Sequence, residues 1–403
     1  MALTVLEYEE LVVVVAAVVG TALISKFTNL PITALEIVAG IVLISLFGFH
    51  SPDIIAPFTQ LGSLLIVFLA GLETRLDYLR QNLRKALLIG LPGFIVPCVG
   101  LWLLFYLGLH LPILIATIGA TALADTSISI VYTTLHQYGL ADLPFGRLVL
   151  ASTLLVNLAE DSTITGATLW HSPGALATTA ILLVTLASVA LLFPRLQRSV
   201  QSRTIGTYSI ITARMGLLGL LVLGLFSAMV AIPGILFVFL MGLIFSQYAD
   251  KEFLRDFQKF AFAIFVPLYF LAVGLEVNIA FVFANLPILL VIIGVASALK
   301  ISGVAGGTRS AFGGTVGSQV AVLMNTRLTS ATVILLLTLN LGFLPDAWYS
   351  MFISGVVIMA LVSAGMLRTF PTFSSAMEAQ KRFRALETPV ETPAPTVAAK
   401  GAG

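Results

Sequence analysis

Long apolar runs separated by short polar stretches fill nearly the whole chain, and no run carries more than two charged residues. At about 1.5 Å per helical residue, roughly twenty such residues cross the 30 Å hydrocarbon core of a bilayer. Runs of that order lie at Leu11 to Lys26, Pro31 to Phe49, Phe58 to Glu73, Ala86 to Leu107, Pro112 to Leu135 and Leu148 to Trp170. They resume at Ala175 to Phe193, Tyr208 to Ala231, Pro233 to Ser246, Phe260 to Leu275, Pro287 to Gly303, Val316 to Leu341 and Trp348 to Leu367. The pattern predicts an all-α polytopic membrane protein of about thirteen transmembrane helices. From Thr369 to Gly403 the chain turns rich in Ala, Pro, Thr and charge, and reads as a short amphipathic or disordered cytoplasmic tail.

Composition sharpens this. The 403 residues are 59% hydrophobic and 10% charged, more apolar than a soluble domain of that length can bury. A net charge of +2 gives no reason to expect nucleic acid, and the lone Cys98 excludes an internal disulfide framework or a thiolate cluster. His50, His110, His136 and His171 are scattered over predicted loops, so no transition metal, no cofactor and no enzyme chemistry is expected. Glu7, Glu9 and Glu10 precede the first run, which makes it a membrane helix rather than a basic-headed secretory signal. Only Arg214, Lys300 and Arg327 fall within spans; with the N-terminus outside, every other Lys and Arg lies on the cytoplasmic side. The expected orientation is N-terminus out and C-terminus in, in a plasma membrane.

The chain also repeats itself. Phe68 to Glu73 reads FLAGLE and Phe270 to Glu276 reads FLAVGLE; Pro31 precedes Gly40 as Pro233 precedes Gly242. Six spans then fall in each half, 1–170 and 207–368, with a linker helix and cytoplasmic loop at 171–206 and the tail at 369–403. An odd linker gives the halves opposite topology. Inverted repeats with a site near the bilayer midplane are a recurring plan of secondary transporters.

The candidate chemistry lies in four spans. In LLVNLAEDSTITGATLW, Glu160 and Asp161 stand inside an apolar segment, where each carboxylate costs about 2.5–3.5 kcal/mol at the bilayer centre. The fifth span is interrupted at Ala124, Asp125, Thr126 and Ser127, and the twelfth at Asn325, Thr326, Arg327, Thr329 and Ser330. Short polar side chains compete for backbone hydrogen bonds, and broken spans survive only where the freed groups are buried in protein or line a wet cavity. If the breaks cross, helix N-termini gather on one side and C-termini on the other, for Asp125 and Arg327 to neutralise. Successive helical residues point about 100° apart, so Glu160 and Asp161 need different partners, and Lys300 is the cation available to one of them. A carboxylate in such a place holds either a proton or a hard cation, and that competition is enough for antiport once access alternates.

Other polar residues carry less. Glu36 suits helix packing or gating, Glu73 an interfacial ion pair with Arg75, and Arg214 snorkelling to lipid phosphate. His136 and Asp142 read as ordinary residues at the cytoplasmic mouth.

These residues resemble the monovalent cation:proton antiporter superfamily, the Na+/H+ and K+/H+ exchangers of bacteria and archaea. The likeness runs from about Leu11 to Leu367 and rests on LGSLLIVFLAGLETRLDYL, PLYFLAVGLEVNI, the interrupted ATALADTSISIV, the acid pair and Lys300. It implies a homodimer with a dimerisation domain and a mobile core holding two crossed broken helices. It implies that Asp161 binds the ion, Na+ or K+, that Glu160 occupies the position before it, and that Lys300 is the core base pairing with that position. Glu160 departs from the Asp or Asn usual there; an acid beside Lys300 implies an electrogenic cycle moving more than one proton per cation. Asp125 becomes an extra ligand, with Thr126 beside it. The expected set is thus Asp161, Glu160, Asp125 and Thr126 for cation and proton, and Lys300 and Arg327 for charge compensation. The stretch after the last span does not resemble the nucleotide-binding regulatory domain of many K+ efflux relatives, so regulation by bound nucleotide is not expected. The alternative is a Na+-coupled solute symporter of related fold, which needs a roomier site; nothing resembles a channel's selectivity filter.

Overall fold

Within hydrocarbon every backbone amide needs a partner from its own segment or a neighbouring one, and runs of Leu, Ile, Val and Ala meet that need as helices. The computed structural model describes residues 5–49, 55–72, 76–137, 139–141, 143–171, 233–247, 251–312 and 317–369, with isolated positions 180, 184, 187, 188 and 218. The described residues form helices, with no strand among them. In order these are α1 (Val5–Thr28), α2 (Ile32–Phe47), α3 (Ala56–Leu72), α4 (Leu76–Leu103, continued by a π turn over Leu104–Gly108), α5 (Ile113–Ala122), α6 (Ile128–Gln137) and α7 (Pro144–His171). The second group is α8 (Pro233–Ser246), α9 (Lys251–Leu275), α10 (Ile279–Ala284), α11 (Leu286–Phe312), α12 (Gly317–Leu323), α13 (Thr329–Asn340) and α14 (Asp346–Thr369).

Among the described residues, five segments are long and apolar enough to cross a membrane: Tyr8–Thr28, Asn82–Gly108, Asp256–Leu275, Leu286–Ala311 and Asp346–Met366. The expected seventh and eighth spans, Arg214, His50, Glu73, Arg75, Asp142 and the tail lie outside the described residues. Two helices begin well before their apolar runs. α4 starts at Leu76 rather than Ala86, with a kink at Asn82 (φ −125°, ψ 22°), and α9 starts at Lys251 rather than Phe260. Hydropathy marks the hydrocarbon boundary, whereas the helix itself continues into water. His136, expected in a loop, stands in the last turn of α6, its ring stacked on Tyr132 at 5.9 Å.

In lipid no hydrophobic force drives helices together, so close backbone approach at small residues decides the packing. α2 crosses α9 where Gly40 meets the backbone of Leu271 and Gly274, and a Cβ on either glycine would run into the opposite chain. α3 crosses α8 in the same way, Gly71 against Phe239 and Gly242. These crossings exchange partners at a nearly constant interval: Gly40 and Gly242 are 202 residues apart, Gly71 and Gly274 are 203.

α4 is the support for the site, packed between α7 and α11. Pro92 in α4 has no amide to give to the carbonyl of Leu88 one turn earlier, and that carbonyl lies directly against Gly307 of α11. Gly303 meets the Pro92 carbonyl, and Gly90 meets that of Ser152 in α7. The two helices that carry the buried acids and Lys300 are therefore held on one rigid post.

Candidate functional site

Both interruptions are breaks. The first lies between Ala122 and Ile128 and the second between Leu323 and Thr329. The freed backbone groups of each are satisfied by the other: Ser127 N–H donates to the Thr326 carbonyl at 2.8 Å, and the Thr126 hydroxyl to the Met324 carbonyl at 3.0 Å. The hydroxyls of Ser127 and Thr329 meet at 3.3 Å. Asn325 ties the second break to α11 and α14 through Ser297 (3.4 Å) and Ser363 (3.3 Å). Asp125, Thr126, Ser127, Thr326 and Arg327 are all fully buried, so this junction lies inside the protein.

Charged side chains occupy the helix ends. Asp125 Oδ2 accepts from the amide of Ala331 at 3.3 Å, in the first turn of α13, where the orphan N–H groups and the positive end of the helix dipole lie. Lys300, reaching from α11, donates to the Ala124 carbonyl at 2.6 Å, beyond the C-terminal end of α5. The sequence suggested Arg327 for the base at a C-terminal end, and the geometry differs. Lys300 already takes that carbonyl. Arg327 instead turns outward, donating to the Ala296 carbonyl of α11 at 2.9 Å and resting on Met359 Sδ of α14.

The third component is one face of α7. Asn157, Glu160 and Asp161 stand at i, i+3 and i+4, so the three share a side of the helix, and all are buried. With its amide nitrogen toward the breaks, Asn157 donates to the carbonyls of Thr126 (3.0 Å) and Thr153 (3.2 Å), leaving its oxygen toward Ser330 Oγ. Glu160 faces Asp125, carboxyl to carboxyl, and no donor group reaches either of its oxygens. Lys300 lies within electrostatic reach of Asp125, Glu160 and Arg327, and Asp161 within reach of Asp125. Asp125 Oδ1, both Glu160 oxygens and Asp161 Oδ1 are buried without partners.

Three acids and two bases share this buried junction. With all five ionised one negative charge is left over, the complement of a single monovalent cation or proton. No three carboxylates converge tightly enough to hold a metal ion by themselves among the described residues. A cation here would draw also on the carbonyl and hydroxyl oxygens of the breaks. Glu36 is buried in α2 with Oε2 unpartnered, and no hydrogen bond joins it to this junction.

Several contributors were not picked out from the sequence. Asn157 had a signal, its i, i+4 spacing to Asp161. The Ala331 amide, the Ala124 carbonyl and Met359 had none, because each acts through backbone placement or long-range packing.

An all-helical membrane fold with two abutting broken helices and buried acids opposite buried bases defines an ion-transporting membrane protein. A family model described as "Sodium/hydrogen exchanger, transmembrane" matches residues 13–372, and the chain belongs to that family. It is 24% identical over 379 residues to the Na(+)/H(+) antiporter of Enterococcus hirae, covering 89% of this chain and 96% of the relative. It is 24% identical over 343 residues to the Na(+)/H(+)-K(+) antiporter GerN of Bacillus cereus, covering 82% and 87%. Its fold is similar to that of the sodium proton antiporter MjNhaP1 from Methanocaldococcus jannaschii, with TM-score 0.69 at 13% identity over 93% of this chain and 98% of that one.

Proposed function

We propose that the protein exchanges Na+ for H+ across the membrane by alternating access, with Asp161 as the carboxylate that binds the cation or the proton in turn. The observation that carries this reading is the charge inventory of the junction: Asp125, Glu160 and Asp161 against Lys300 and Arg327, all buried. A net single negative charge in a low-dielectric site demands one positive charge at all times, and either ion supplies it. The site is then never left empty and charged while it moves, which forbids uncoupled leak. Asp125 and Thr126 add oxygen ligands, and Glu160 with Lys300 forms the second titrating unit. A second proton, taken up by Glu160 beside Lys300 when Asp161 is protonated and released when Na+ binds, makes the cycle two protons per cation while Lys300 stays charged.

The architecture we assign is thirteen spans in two inverted repeats, with the N-terminus outside, the C-terminus inside and two copies in the plasma membrane. The near-constant interval between the exchanged glycine crossings supports the repeat, as do the abutting breaks in its fifth and twelfth spans. The test is proton flux in proteoliposomes holding an acid interior and a pH-sensitive dye, with Na+, Li+ or K+ added outside. Saturable dissipation by Na+ is expected. A gradient unmoved by all three cations at every imposed pH overturns the proposal.

A further inference from the structure

The serines and threonines of α7 divide by what their hydroxyl protons do. Inside a helix such a side chain ordinarily gives its proton to a carbonyl one turn back. Ser152 does so to Leu148 at 2.8 Å, Thr153 to Val149 at 3.0 Å, Thr163 to Ala159 at 2.7 Å and Thr168 to Ile164 at 2.9 Å. Ser162 is exposed. Thr165 is the exception: it is 6% exposed, and its hydroxyl has no hydrogen-bond partner among the described residues, not even the Asp161 carbonyl one turn back. Thr165 stands four residues after Asp161, and Asp161 four after Asn157, so the three form one stripe on α7, spaced roughly 6 Å along its axis. At the first step the polar atoms are used, Asn157 bonding the carbonyls of Thr126 and Thr153. At the next two they are open, since Asp161 Oδ1 and Thr165 Oγ1 are both buried without partners.

Buried hydroxyls without partners are uncommon, because stranding one costs more than a typical hydrogen bond gains. Open side-chain ligands at i and i+4 are spaced to hold one cation between them, as paired side chains on a helix face do for metals. A hydroxyl suits the second position, because its lone pairs can face a cation while its proton turns away. It also adds no charge, and leaves three acids against two bases. We infer that Thr165 is a direct ligand of the exchanged cation, its Oγ1 and Asp161 Oδ1 meeting the ion from one face of α7. The inference rests on the exchange reading, with Asp161 as the carboxylate that changes occupant. It gives the site a group that tells the two occupants apart. A carboxylate takes Na+ or H+ in the same place, whereas a threonine hydroxyl coordinates Na+ and holds no proton in its stead. Thr165 thus weights the competition toward the cation.

The test compares Thr165→Val and Thr165→Ser with the wild type in reconstituted, full-length protein, measuring exchange against Na+ concentration at several pH values equal on both sides. Valine keeps the shape and removes only an unpartnered oxygen, so the thermal midpoint of Thr165→Val in Na+-free buffer stays at or above that of the wild type. Its apparent KM for Na+ rises about tenfold, the scale of one bond to a charged group. The factor is the same at every pH, because the proton affinity of Asp161 is untouched. Thr165→Ser restores the oxygen and returns KM close to the wild-type value. A Thr165→Val protein with wild-type KM overturns the inference, as do a factor that varies with pH, a serine variant no better than valine, or a lowered midpoint in Thr165→Val. A wild type without exchange overturns the reading beneath it and this ligand with it, whereas an active wild type beside an unaltered Thr165→Val removes the ligand alone.

Discussion

Lys300 and Ala124 are joined by a 2.6 Å hydrogen bond from a fully buried ammonium to the carbonyl just past the end of a broken helix. That bond ties α11 to the first break and places a positive charge within reach of Asp125 and Glu160. Removing it strands two acids and a carbonyl together. Lys300→Met is expected to lose about 3 kcal/mol of stability, the scale for breaking a buried charge network, read as a lower thermal midpoint in detergent. Any residual exchange becomes voltage-independent. In vesicles loaded with Na+ and diluted into acid medium, wild-type exchange, by contrast, accelerates under an inside-negative potential set with K+ and valinomycin, since two inward protons outweigh one outward Na+. Equal rates at all potentials in the wild type contradict the two-proton cycle.

Asn157 holds α7 to both breaks, and its loss leaves the Thr126 carbonyl buried without a donor. Asn157→Ala is expected to cost about 2 kcal/mol, two hydrogen bonds at roughly 1 kcal/mol each, and to reduce exchange more than its stability alone explains. A comparison of transport rate with the fraction folded, on the same preparation, checks this.

The glycine crossings give a structural prediction with an internal control. A Cβ at Gly71 runs into the backbone of Phe239, whereas a Cβ at Gly294 in α11 meets nothing within 4 Å. Gly71→Ala is expected to destabilise by about 1–3 kcal/mol through overpacking, and Gly294→Ala to be neutral or stabilising. Thermal midpoints of the two variants decide the matter; the reverse order contradicts the packing.

Competition of proton and cation for one carboxylate fixes the sign of the pH dependence. As pH falls the protonated site excludes Na+, so the apparent KM rises while the maximal rate holds, by simple mass action, up to about tenfold per pH unit for each proton displaced and so up to about a hundredfold for the two-proton cycle. KM and maximal rate measured across pH, equal on both sides of the vesicle, separate this from a fall in rate at constant KM.

Much of this arrangement could be read in the chain before the fold. The two breaks were legible because Asp, Thr, Ser and Asn are poor company for a membrane helix. Glu160 and Asp161 were legible because lipid makes any carboxylate expensive. Which base serves which helix end was not legible. Lys300 lies in a separate, unbroken helix, and its reach to Ala124 depends on α4 setting the depth of α11 through the Leu88 carbonyl and Gly307. Arg327, sitting within a break, was the nearer guess by sequence and turns toward Ala296 and Met359 instead. Asn157 gives a weak signal in the sequence, because a neutral amide costs far less in an apolar helix than the two acids beside it. The extra turns of α4 and α9 leave no mark in the hydropathy, which ends at the bilayer surface where the helix does not.

The central claim, that Asp161 carries proton and cation in turn, is tested most directly by Asp161→Asn in the dye-loaded proteoliposomes, beside the wild type at equal protein density. The account predicts that Na+ dissipates the proton gradient in the wild type and leaves it intact in the variant, while the variant stays folded and monodisperse in detergent. Na+-driven proton flux that persists in folded Asp161→Asn contradicts it.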